Sequence, residues 1–335
     1  VRRAEEAERV QPRPLRNAVL GLALGVVLGV GLAFLWEALD TRVRSAEDIA
    51  RALGLPFLGR LPAPPKKLRQ EARLVMLAQP SGVHAEAFRV LRTNLDFARL
   101  DREASTLLVT SAVEEEGKST TAANLAIALA RAGQRVALVD LDLRKPFMDR
   151  FFDLHGIPGI TQVALGQATL DEALAPIAID GAERRRGRLL GPIDVVHLTS
   201  ANGNHPDRGS LQVLAAGPLP PNPGEFVSSR RLEGLLRELQ ARVDTVLIDS
   251  PPVLRVGDAL TLSARVDGIV LVTRVNVLRR AMLAELKRLL GAAPSPVLGL
   301  VVTGADEEEG YSYGYADPYG YGSDRAREAA RGALR

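Results

Sequence analysis

Thr110 to Pro146 reads TSAVEEEGKSTTAANLAIALARAGQRVALVDLDLRKP, and the interpretation of this stretch settles the fold. The apolar run from Thr106 to Thr110 leads into a loop that ends Gly117-Lys118-Ser119-Thr120, and a helix-period segment then continues to Gly133. Strand, glycine-containing loop and helix in that order fit a phosphate-binding loop, with Ala112 in place of its usual first glycine. Backbone N–H groups of the turn and of the helix N-terminus would face phosphate oxygens, where the helix dipole also favours negative charge. Lys118 would reach the β and γ phosphates, and the Ser119 hydroxyl would bind Mg²⁺, a hard cation that prefers oxygen ligands. Glu114, Glu115 and Glu116 crowd three carboxylates into this loop, where like charge is expected to repel a nucleotide.

The same stretch continues into a second apolar run, Val136 to Val139, which ends in Asp140, with Asp142, Arg144 and Lys145 before Pro146. Two aspartates spaced i, i+2 at a strand end can both point toward a metal. Thr245 to Ile248 is a third such run, ending Asp249-Ser250-Pro251-Pro252. A strand that ends in Asp and breaks sharply has the form of a Walker B element, whose carboxylate holds Mg²⁺. One strand-end Asp is usually a cap; three in a chain with a phosphate loop point to a nucleotide site.

Strand-like runs recur at Leu211 to Ala215, Gly268 to Thr273 and Val297 to Val302, with helical patterns between them. Val195 to Leu198 is expected to add a short strand, and Ile179 to Gly191, with four arginines, an exposed loop. Alternation of this kind predicts an α/β fold: a P-loop NTPase-type, mostly parallel sheet with helices on both faces over 80–305. Its ligand should sit at the carboxyl ends of the strands.

Ala18 to Trp36 carries no charge, and as a helix would be roughly 28 Å long, enough to cross a bilayer core. We therefore expect one transmembrane helix over 18–36, with Gly21, Gly25, Gly29 and Ala33 along one face and 1–17 as an extracytoplasmic flank. Basic residues flank both ends, so orientation follows from the nucleotide site, which belongs in the cytoplasm. Residues 37–79 read as a juxtamembrane segment and linker, with a short helix capped by Ser45 and a boundary in the proline- and lysine-rich stretch 62–67. The chain begins with Val1 rather than Met, and a longer protein upstream is expected.

A formal charge of +3 without a concentrated basic patch implies no nucleic-acid partner, and the lack of cysteine excludes disulfide and thiol chemistry. The four histidines are scattered without ligand spacing. All five tyrosines, Tyr311, Tyr313, Tyr315, Tyr319 and Tyr321, fall in DEEEGYSYGYADPYGYGSD near the C-terminus. Packed domains do not concentrate tyrosine in this way, so 306–335 is expected to be a disordered tail able to enter an active site. Glu86, Arg89 and Arg92 lie along one side of a helical stretch, His84 to Leu100, and periodicity alone makes them a solvated face.

AVEEEGKS, ALVDLDLRKP, VLIDSPP and the tyrosine-rich end together resemble the bacterial tyrosine kinases of capsule and exopolysaccharide export. ALDTRVRSAEDIARALGLPFLGRLP, after the apolar helix, resembles the membrane-proximal end of polysaccharide chain-length determinants. The resemblance implies an ATP- and Mg²⁺-dependent tyrosine autokinase in the cell membrane, with a cytoplasmic catalytic domain and no eukaryotic kinase fold. It implies Lys118 on phosphate, Ser119, Asp142 and Asp249 on the metal, and Asp140 as acceptor of the tyrosine proton. Tyr311 to Tyr321 become the phosphoacceptors, modified in trans within a ring of identical chains. EAFRVLRTN resembles the family's E-x2-R-x2-R helix, so Glu86, Arg89 and Arg92 become intersubunit contacts. Further partners implied are the polysaccharide polymerisation and export machinery and a cognate tyrosine phosphatase. A partition-type ATPase is the competing expectation, but those carry another lysine early in the loop, where Ser111, Ala112 and Val113 offer none. A chain-length regulator without catalysis is the third.

Overall fold

The computed structural model describes residues 14–39, 42–43, 45–100, 104–179 and 209–305. They fall into two compact units divided after Arg42. The first is the single helix Pro14–Leu39, in which Leu15–Trp36 has a mean hydropathy of 2.6 and is long and apolar enough to cross a membrane. The flank 1–13, the segment 180–208 with its expected arginine loop and strand, and the tyrosine-bearing 306–335 lie outside the described residues.

The second unit is built on eight strands. In chain order they are β1 (Phe57–Pro62), β2 (Thr106–Ser111), β3 (Arg135–Asp140), β4 (Ala175–Ile177), β5 (Ser210–Leu214), β6 (Thr245–Asp249), β7 (Gly268–Arg274) and β8 (Val297–Ala305). They form one sheet in the order β1-β8-β7-β2-β6-β3-β5-β4, parallel throughout except for the β4–β5 pair. The central strands are buried along their whole length, which explains why they read as continuous apolar runs rather than alternating ones. Alternation survives as a choice between two cores: Leu107 and Val109 face one cluster while Leu108 faces the other.

Helices Val83–Arg99 and Lys118–Arg131 cover the first face; Arg230–Arg242, Arg280–Gly291 and Ala46–Leu53 cover the second. The Lys118–Arg131 helix is buried almost all round, which its alanines permit by keeping helix propensity high and bulk low. Ser45 caps Ala46–Leu53 as its sequence indicates, accepting from the N–H of Glu47 and Asp48, and Gly54 ends that helix at φ 69°.

Residues 37–79 do not form the separate linker expected of them. The compact unit starts at Val43; β1 pairs in parallel with β8, and Leu58, Leu61, Leu68, Leu74 and Met76 are buried in the first-face core. Pro62 misled because proline breaks most strands, but β1 is an edge strand, where a missing N–H interrupts nothing. Between β5 and β6 two helices follow one another, Pro223–Ser228 and Arg230–Arg242. Extended Ser229 separates them and caps the second through the Leu232 N–H. Between β3 and β4 lie three short helices, Met148–Phe152, Ile160–Ala164 and Leu170–Ala173, with Gly156 and Gly159 in the break between the first two.

Asn124 ties the phosphate-loop helix to the β1 side of the domain. Its Oδ1 accepts from the Met76 N–H at 3.0 Å, and its Nδ2 donates to the Thr120 carbonyl at 2.8 Å, both without solvent. Asn124→Ala leaves a buried N–H without a partner and should cost about 1–3 kcal/mol, read as a lowered midpoint in chemical unfolding.

Candidate active site

The register of the sheet brings the acidic strand ends together. Asp140 is the direct neighbour of Asp249 in the β3–β6 ladder, and Val109 is the neighbour of Asp249 in the β2–β6 ladder. The loop after β2 therefore opens over both carboxylates. Gly117 turns it into the helix with φ 89°, a left-handed conformation that glycine adopts without strain, and no side chain caps the helix. The first-turn amides at Lys118, Ser119 and Thr120 are thus left for an anion.

Lys118 is buried at the centre of the cluster. Its Nζ lies 2.6 Å from Asp142 Oδ2, 3.4 Å from both oxygens of Asp249 and 3.0 Å from the Ser119 hydroxyl. Burial alone would lower the pKa of this ammonium, but Asp249 and Asp142 outweigh it and the net direction is up. Burial raises the Asp249 carboxyl, against the pull of Lys118 and of a hydrogen bond from Ser119. Asp140 is pushed up to about 7, by burial first and then by the negative charge of Asp249. Both of its oxygens are already engaged. One accepts from the Asp142 N–H at 3.2 Å and the other from the Phe147 and Met148 N–H groups at 2.9 and 3.0 Å. Asp140 thereby shapes the loop that presents Asp142.

Among the described residues no three carboxylate or imidazole side chains form a cage that would hold a metal unaided. Mg²⁺ does not need one: it binds through one or two carboxylates with water and substrate phosphates. Asp142, Asp249 and the Ser119 hydroxyl are a donor set of that kind, so the residues fit the ion expected of them.

The three glutamates of the loop do not act alike. Glu116 is 1% exposed and turned into the protein. It accepts from the Val113 N–H at 2.7 Å and the Arg274 N–H at 3.2 Å, while its own carbonyl accepts from the Thr303 hydroxyl at 2.7 Å. Glu114 pairs with Lys145 of the acidic loop. Arg144, from that same loop, bonds Asp258 at 2.9 Å. The partners on other elements were not legible in the sequence, because Lys145, Arg274 and Thr303 lie 31 to 187 residues from the loop along the chain.

Glu86, Arg89 and Arg92 do share one side of the Val83–Arg99 helix. Arg89 bonds Glu86 and the Pro80 carbonyl, and Arg92 lies 3.9 Å from Asp96.

Residues 107–309 match the family described as the CobQ/CobB/MinD/ParA nucleotide-binding domain. The tyrosine-protein kinase YwqD of Bacillus subtilis is 34% identical over 247 residues, 74% of this chain and 92% of that protein. This chain belongs to the bacterial tyrosine-protein kinases. The kinase is also 31% identical over 322 residues to the putative tyrosine-protein kinase EpsB of Ralstonia solanacearum, spanning 93% of this chain and 39% of EpsB. Among solved structures, the BceF tyrosine kinase domain superposes with a TM-score of 0.65 at 28% identity, covering 79% of this chain and all of that domain. The chimerical protein CapA2B2 gives 0.64 at 30% identity, covering 78% of this chain and all of that one.

Burial raises the Glu116 carboxyl to about 7, against the backbone N–H bonds that it accepts. A raised carboxyl means that the folded state holds a proton which the unfolded state has released. Its contribution to stability therefore falls as pH rises from the usual carboxyl range through about 7, and is level above that. The stability of the wild type relative to Glu116→Gln should decline over this window, measured by urea unfolding at fixed salt.

Proposed function

We propose that the kinase transfers the γ-phosphoryl group of ATP to tyrosine hydroxyls of its own C-terminal segment, Tyr311, Tyr313, Tyr315, Tyr319 and Tyr321, in a neighbouring copy. The observation that carries this reading is the convergence of Lys118, Ser119, Asp142 and Asp249 at the carboxyl ends of three adjacent strands. It is supported by kinship to kinases named for tyrosine.

In this reading the Gly117 turn and the amides of Lys118 to Thr120 seat the phosphates, and Lys118 leaves the carboxylates to neutralise β and γ oxygens. Ser119, Asp142 and Asp249 hold Mg²⁺, which supplies charge neutralisation on the phosphates when bound. Asp140 takes the phenol proton. Its pKa near 7 suits a base at neutral pH, and one of its backbone hydrogen bonds must be exchanged as the phenol arrives. Catalysis rests on positioning and electrostatics rather than on a covalent protein intermediate.

The apolar helix Leu15–Trp36 anchors the chain in a bacterial cell membrane with the kinase unit in the cytoplasm. Glu86, Arg89 and Arg92 contact neighbouring copies in a ring, and rounds of phosphorylation and removal by a cognate phosphatase regulate polysaccharide polymerisation and export. Each added phosphate brings nearly two negative charges at neutral pH, enough to loosen a ring by repulsion.

Intact-mass analysis of the full chain in detergent after incubation with Mg-ATP tests the chemistry. A ladder of phosphate additions that maps to Tyr311 through Tyr321 is expected, falling by about 10²-fold or more in Lys118→Met and in Asp249→Asn. Lys118-dependent ATP hydrolysis with no added mass would instead identify a partition-type ATPase.

A further inference from the structure

Above the buried cluster, the site mouth is closed by a second and exposed set of charges. Lys145 stands three residues beyond Asp142, and its backbone N–H donates to Asp142 Oδ1 at 3.1 Å. Its ammonium pairs with Glu114 on the opposite loop, with both side chains open to solvent. A third element joins them: Val253 and Leu254, just beyond Asp249, donate their N–H groups to the Ser111 and Ala112 carbonyls at 2.8 and 3.2 Å. This places the next residue, Arg255, on the same rim. Arg255 is exposed, and among the described residues no hydrogen bond or ion pair holds its guanidinium. The Glu114 carboxyl registers this surrounding. It is held below its usual range, chiefly by the Lys145 hydrogen bond, with Arg255 and Lys118 adding to the effect. Glu115 acts on Lys145 as well, more weakly, and Arg144 is taken up by Asp258.

Two cations at the mouth thus face a carboxylate supplied by the loop itself. The segment proposed as substrate starts with four consecutive acids, Asp306 to Glu309, separated from Tyr311 by Gly310 alone, and it contains no basic residue before Arg325. It also follows β8, whose Thr303 touches the phosphate loop.

We infer that Lys145 and Arg255 select acidic tyrosine-bearing peptide, and that Glu114 is a built-in competitor which the acids ahead of Tyr311 displace. This rests on the kinase reading and names its substrate class. The exchange is easy in energy, because a solvent-exposed ion pair contributes little, and one cation can trade a lone carboxylate for a cluster of them. Glu114 in turn offsets one of the two cations when no peptide is present, which disfavours stray anions.

The test uses the full chain with Mg-ATP and two synthetic peptides. One is residues 305–316; the other has Asp306 and Glu307 to Glu309 replaced by Asn and Gln. Initial rates of peptide phosphorylation are followed by mass. Wild type should favour the acidic peptide in kcat/KM by about three- to tenfold at low salt, with the preference shrinking as salt rises. The preference should fall toward one in Lys145→Gln/Arg255→Gln and increase in Glu114→Gln, with the change residing in the peptide KM. Equal use of both peptides by wild type would overturn charge selection while leaving the kinase intact. A preference that survives the double substitution would overturn the assignment to Lys145 and Arg255. No phosphate on either peptide or on the chain's own tyrosines would overturn the kinase reading, and this inference with it.

Discussion

One buried ammonium among three buried carboxylates is the constraint on which the rest of the domain is arranged. Lys118, Asp140, Asp142 and Asp249 are all nearly or wholly removed from water, where an unpaired charge is costly. Three negative groups against one positive group leave an imbalance that must be met by a proton or a further cation. Asp140 meets part of it by holding its proton up to about 7. The remaining carboxylates are suited to a divalent ion that arrives with a polyanion. A mostly parallel sheet is what makes such a cluster possible, since it delivers strand ends of like polarity to one edge.

Around that cluster the buried carboxylates hold the loops through backbone donors, and side-chain pairs add to this only at the exposed rim. Asp140 collects three amides from the acidic loop; Glu116 collects amides from its own loop and from the end of β7. Each carboxylate fixes a turn that contains no regular structure. Glu116 explains why an acidic run is tolerated beside a phosphate site: the residue nearest the glycine points inward and is used as a brace, and Glu114 is matched by a lysine.

What the sequence made legible follows from which signals are local. The strand–loop–helix unit, the two aspartate-ended strands and the membrane-length helix each announce themselves within one continuous stretch, through apolar runs and sharp breaks. β1 did not, because Gly59, Arg60 and Pro62 interrupt its apolar pattern and its pairing partner β8 lies at the far end of the domain. β4, three residues long and antiparallel, carries too little pattern to be seen. In the site, residue types were legible and orientations were not. Three adjacent glutamates look identical on paper, yet one is interior, one is paired across the mouth and one sits at φ 63°. The differences are set by contacts with β7, β8 and the acidic loop.

β8 closes the described domain and also forms a wall of its phosphate loop: the Thr303 hydroxyl bonds the Glu116 carbonyl, and Thr303 lies against Gly117. The chain that continues past Ala305 is therefore moored to the strand on which the nucleotide loop leans. A pull along that mooring line would be felt first at the Gly117 turn, because the carbonyl that Thr303 bonds lies two residues before Lys118. The protein's terminus is in this sense a mechanical handle on its nucleotide loop, whatever chemistry the terminus itself undergoes.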